Sequence, residues 1–134
     1  MTPGARVAAQ IDILEAILSG VPAEKALTNW ARGNRFAGSK DRAALRDLVF
    51  QALRCRRSAG AWPAPQSARA WAIGTLRANG EDPNEFFNGI AHAPAALCAD
   101  DVTPLPSDRD RLDLQDWVID LLTQQYGAEQ TAKI

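Results

Sequence analysis

Apolar residues in this 134-residue chain recur three and four positions apart in one segment after another and alternate nowhere, which confines it to an all-α fold. Thr2 and Pro3 read as an N-cap followed by proline at the first helical position, and Val7, Ile11, Leu14 and Leu18 then share a face until Gly20. Pro22 opens a second helix with Ala23, Ala26, Leu27 and Trp30 on one side and Gly33 at its end. GNRFAG links it to a third, within Gly38–Arg57. After the break at Trp62, Pro63 and Pro65, Ser67 caps a helix carrying Ala70, Trp71, Ile73, Gly74 and Leu76 up to Gly80. Asp82-Pro83-Asn84-Glu85 reads as the capped start of a short helix through Phe86 and Phe87. From Gly89 to Arg111 the pattern is irregular, with one helical turn expected near Ala95–Leu97. Leu114, Trp117, Val118, Leu121 and Leu122 then restore the period before Gly127. The expectation is one helical domain of about six or seven helices. Trp30, Trp71 and Trp117 lie on apolar faces and read as core anchors, while Trp62 stands among Pro and Gly.

The third helix is also the densest basic segment. Ser39 is a suitable N-cap, Asp41 complements the helix dipole, and Leu45, Leu48, Val49, Ala52 and Leu53 fall on one arc. Arg42, Arg46 and Arg57 occupy the adjoining arc around Phe50. Two readings stand side by side: a solvated flank whose arginine stems cover the core edge, or an anion-binding surface that fits RNA phosphates through forked guanidinium donors. On the second reading the RNA-binding candidates are Arg32, Arg35, Lys40, Arg42, Arg46, Arg54, Arg56 and Arg57, some of them committed to Asp41 and Asp47.

Net charge is −1, which argues against a general nucleic-acid binder, but the average conceals a division. Residues 1–80 carry 12 basic and 5 acidic side chains, net +7, and residues 81–134 carry 3 basic and 11 acidic ones, net −8. No apolar run approaches the roughly 20 residues that span a bilayer, and MTPGARVAAQ lacks the pattern of a signal peptide, so a cytoplasmic protein is expected. Cys55 and Cys98 form no CxxC pair, and His92 is the sole histidine. Neither a metal site nor a Ser/His/Asp arrangement is expected. Asp100, Asp101, Asp108 and Asp110 lack the glycine turn and terminal glutamate of a calcium loop and read as a solvated acidic segment.

GVPAEKALTNWARGNRF, GSKDRAALRDLVFQALRCRRS, HAPAAL and a Trp-containing helix followed by YGAE together resemble the N-terminal domain of bacterial ribosomal RNA cytosine-5 methyltransferases of the RsmB or Sun type, a domain similar to the antitermination factor NusB. The likeness spans roughly residues 5–134 and centres on Asp41, Arg42, Leu45, Leu48, Val49, Leu53 and Arg54. It implies a NusB-like helical bundle that recognises RNA, expectedly ribosomal, or docks on its own C-terminal methyltransferase domain. S-adenosylmethionine would belong to that second domain: the family's glycine-rich loop and its two cysteine motifs are absent, since Cys55 is followed by Arg56 and Cys98 by Ala99. Residues 1–126 are expected to form the RNA-binding domain and 127–134 the start of a linker helix towards a catalytic domain. This chain alone is expected to carry no catalytic residues, cofactor or metal. A free-standing antitermination factor and a docking module without RNA contact are the alternatives.

Overall fold

The Thr2 hydroxyl accepts the Ala5 N–H at 3.1 Å and starts α1 (Pro3–Leu18), the helix around which the others assemble. In the computed structural model, which describes residues 1–101 and 105–133, α2 (Ala23–Gly33), α3 (Ser39–Arg54) and α4 (Ala68–Ala78) all pack on α1, and α5 (Asp116–Ala132) follows. There is no strand among the described residues. Residues 102–104, within the expected irregular connection, and Ile134, at the expected terminal helix, lie outside them.

Two apolar clusters meet along α1. Ala9 and Ile13 pack with Ala26 of α2 and with Leu45 and Val49 of α3. Val7 and Leu14 pack with Ala52, Trp71, Ile73, Leu76 and Phe87. Trp71 is 1% exposed, and its indole N–H donates to the Ala52 carbonyl at 2.9 Å, so the largest core side chain leaves no polar atom unmet. Gly74 lets α4 press against the turn before it. A Cβ at that position would lie 1.8 Å from the Ala59 carbonyl oxygen, a distance no side chain can occupy.

Several expectations change in three dimensions. Against the six or seven helices anticipated, the described residues form five α-helices and two single 3-10 turns, Pro83–Glu85 and Asp110–Leu112. Asp82 does cap the first of these turns, accepting from the Asn84 N–H at 3.0 Å, but the turn ends at Glu85 and does not extend through Phe86 and Phe87; Gly89 follows in the left-handed region at φ +69°. Residues 95–97 form no helical turn, and the turn falls at 110–112 instead. Gly38 rather than Ser39 caps α3, without a side-chain bond, and Ser39 is already helical.

Trp117 is 65% exposed and anchors nothing in the core. Helical periodicity shows that residues share a face; it does not show that a partner covers the face. On α5 the fully buried residues are Ile119 and Thr131 alone, and at Gly127 (φ 81°, ψ 160°) the helix breaks, so the segment after the glycine begins a new direction, as its position as a helix stop suggests.

Candidate nucleic-acid interface

Helix α3 exposes an arc on which Arg42, Arg46, Phe50 and Arg54 succeed one another at four-residue spacing, the interval that aligns side chains along one helical face. Lys40, in the first turn, is also exposed but lies about 160° round the helix from Arg42. Arg46 lies over the Phe50 ring, 5.0 Å from its centroid, and forks onto the Glu24 carboxylate of α2, with Nη1 2.8 Å from Oε2. That hydrogen bonding holds Glu24 below the ordinary carboxylate range and raises Arg46. Arg32 stands in the last turn of α2, and Arg35 in the connection to α3; both are exposed.

The cations of this chain divide cleanly by environment. Among the described residues Arg6 binds Asp41, Arg69 binds Asp101, Arg109 binds Asp116 and Asp120, Arg111 faces Asp108, and Lys133 faces Glu129. Arg77 also has an interaction. Lys25, Arg32, Arg35, Lys40, Arg42 and Arg54 have no such partner, and all six lie between residues 25 and 54, on α2, α3 and the connection joining them.

Two of the eight sequence candidates do not belong to this surface. Arg57 is 7% exposed. It donates to Asp110 at 3.1 and 3.2 Å, to Asp116 at 2.9 Å and to the Leu114 carbonyl at 2.8 Å. The helical angle that placed it beside Phe50 no longer applies, because α3 ends at Arg54 and the chain turns through residues 55–60. Arg56 is half-buried, its guanidinium 5.0 Å from the Trp71 ring centroid and its Nε–H donating to the Ala61 carbonyl. Arg32, Arg35, Lys40, Arg42, Arg46 and Arg54 remain at the surface, with Arg46 engaged by Glu24. Asp41 is occupied by Arg6 and the N-terminal amine, not by the basic arc.

Beside this face lies a groove of about 680 Å³ between α1 and the α2–α3 connection. Its floor is the small-residue face Ala5, Ala8 and Ala9 of α1, and Asp12 continues that face one turn on. Trp30 and Phe36 form its aromatic side, edge to face with centroids 6.5 Å apart and planes at 71°, and Ala91 and His92 close another side. Trp30 also lines a smaller depression with Arg42 and Arg46, so one indole separates the groove from the basic stripe. Sequence periodicity placed Trp30 against the core, where its half-buried indole does pack on the Ala9, Ile13, Ala26, Leu45 and Val49 cluster, but passed over Asp12 and Phe36. The one available signal for Phe36 is its place in a loop next to an arginine, off every apolar arc.

Set against family models, curated proteins and solved structures, the chain matches none of them. Function is therefore read from the site.

Nucleophilic chemistry does not assemble among the described residues. Burial pushes the Cys55 thiol up, away from the thiolate form. Ser58 Oγ donates to Asp113 Oδ2 at 2.6 Å, but His92 lines the separate groove beside α1. Of the four aspartates expected as a solvated segment, Asp100 and Asp108 are exposed, whereas Asp101 and Asp110 act as clamps. Asp101 accepts from Arg69 and from the Cys98 N–H, which hold its carboxyl far below its usual range, and Asp110 takes Arg57 and the Ser107 N–H. No helix among the described residues is long and apolar enough to cross a membrane.

Proposed function

We propose that this chain is an RNA-binding accessory domain, and that the α2–α3 face neutralises phosphates of a single-stranded segment. The observation that carries this reading is the confinement of the unpartnered cations to residues 25–54, in a chain whose other basic side chains are nearly all bound internally. A flank that served only to solvate a helix would gain from the same neutralisation the rest of the molecule uses. The likeness of GSKDRAALRDLVFQALRCRRS to the RsmB or Sun type supports ribosomal RNA as the target and a cytosine-5 methyltransferase domain, with its S-adenosylmethionine, as the catalytic partner.

Three to four simultaneous phosphate contacts give a log–log salt slope of about −2 to −3, or a loss of roughly fifteen- to sixtyfold in affinity between about 50 and 200 mM salt. Titration with a small-subunit ribosomal RNA fragment tests it. Arg42→Ala with Arg54→Ala lowers the slope by about 1 to 1.5 while the helical content stays, since both side chains are exposed and alanine is a good helix former. Absence of binding at low salt, or binding indifferent to the double substitution, rejects the face as an RNA surface. A docking module is the second reading, favoured by the exposed Trp117 and Leu121 one turn apart on α5.

A further inference from the structure

The groove between α1 and the α2–α3 connection is built differently from the basic stripe beside it. Phe36 is 74% exposed, yet its loop is held from both sides. The Ala37 N–H donates to the Asn34 carbonyl at 3.1 Å, and the Asn34 side-chain amide donates to the Trp30 carbonyl at 2.8 Å. Ala37 itself is buried. The aromatic pair is thus prearranged beside open space, and the alanine face of α1 keeps the floor low. Across the groove Ala91 and His92 both adopt left-handed backbone angles, φ 51° and 68°, a costly pair for residues other than glycine and one that clusters at binding sites.

Asp12 gives the groove its chemistry. No hydrogen bond or ion pair meets its carboxylate among the described residues, and partial burial pushes its pKa up. Exposed at the rim of the groove and free of protein donors, this carboxylate is open to N–H groups of a ligand lying on the aromatic pair. The unpartnered Arg32 and Arg35, on either side of the lining residue Asn34 in sequence, weigh against a cationic ligand and favour one that carries phosphate.

Resting on the RNA-binding reading above, we propose that this groove admits one unstacked guanine, stacked on the exposed Phe36 ring with Trp30 at its edge and read by Asp12 on its Watson–Crick edge. Of the four RNA bases, guanine alone presents two adjacent N–H donors there, N1–H and N2–H, which one carboxylate accepts with both oxygens. Adenine and cytosine set a ring acceptor beside their amino group, and uracil flanks its single N–H with two carbonyls, so each turns a lone pair towards Asp12. Stacking of a splayed base on aromatic side chains with edge recognition is the general mode by which proteins read single-stranded RNA. The volume lies within the range of small-ligand sites and accommodates a nucleotide. Because Trp30 borders both the groove and the Arg42 depression, the flanking phosphates run onto the basic stripe.

The test titrates the intact chain at low salt with two short, equally charged single strands, oligouridine and the same strand with one central guanosine. The guanosine strand binds about tenfold tighter, as one bidentate base contact warrants. Inosine in place of guanosine, which lacks the N2 amino group, loses most of that gain. Asp12→Asn abolishes the preference, because an amide presents only one acceptor to the two N–H groups of guanine, and Phe36→Ala, at a mostly exposed side chain, weakens both strands. Equal binding of the two strands by the unaltered chain overturns the guanine pocket while leaving phosphate binding intact, and a preference that survives Asp12→Asn overturns it as well. Concentration-dependent self-association that shields Phe36, with no response to guanosine, also overturns it and assigns the groove to a second copy. Failure of either strand to bind rejects the RNA-binding reading itself.

Discussion

Asp110 accepts both the Nε–H and an Nη2–H of Arg57, at 3.2 and 3.1 Å, across 53 positions of the chain. With the Asp116 and Leu114 contacts of the same guanidinium, this fork ties the acidic C-terminal part to the turn after α3. Ser58 reinforces it, its N–H and hydroxyl both donating to Asp113. The charge division in the sequence is in this respect an internal clamp.

Arg57→Ala should therefore release α5 more than it disturbs the four packed helices. Removal of this buried guanidinium costs about 2–4 kcal/mol, because Asp110, Asp116 and the Leu114 carbonyl each lose a donor at once. Urea unfolding should show that loss, and limited proteolysis should cut first between residues 105 and 116. An unchanged midpoint together with an uncut connection would refute the clamp.

Acid should loosen the Arg69–Asp101 connection in a defined window. The folded-state pKa of Asp101 is depressed by the Arg69 hydrogen bond and by the Cys98 N–H. Its contribution is thus fully present above the unfolded value near 3.8 and is lost as pH falls below that value towards the depressed one. Asp101→Asn should lower stability at neutral pH and flatten the decline below about pH 4. Parallel stability profiles for the parent and the variant would contradict the assignment.

On the RNA-binding proposal, Glu24 restrains the α2–α3 face. Glu24→Gln removes the carboxylate that engages Arg46, leaving that guanidinium over Phe50 and free for a phosphate. One added contact makes the salt slope more negative by about 0.7 and raises affinity at low salt. The pair is exposed, so the melting temperature should barely move. Weaker RNA binding by this variant would mean that the pair positions Arg46 rather than sequestering it.

Much of the fold is legible in the sequence because it depends on local physics. Thr2-Pro3 and Ser67 cap their helices as residue type predicts, Gly20, Gly80 and Gly127 adopt the left-handed angles that stop a helix, and the Val7, Leu14, Leu45, Val49 and Trp71 positions enter the core as periodicity requires. The basic stripe on α3 is legible for the same reason, since Arg42, Arg46 and Arg54 stay within one regular helix.

What sequence determined by itself is the all-helical class, most helix limits, and the concentration of positive charge between residues 25 and 57. Tertiary structure alone decided which of those charges face solvent. Arg57 was lost to the clamp once the chain left helical geometry at Cys55, and Trp117 was left uncovered because none of the described elements covers its face of α5. Asp12, Trp30, Phe36 and His92 meet only when α1, the α2–α3 connection and the loop at residues 89–94 come together. Local rules depend on neighbours a few residues away. A groove depends on residues brought close by the folded backbone, and no spacing in the chain encodes that distance.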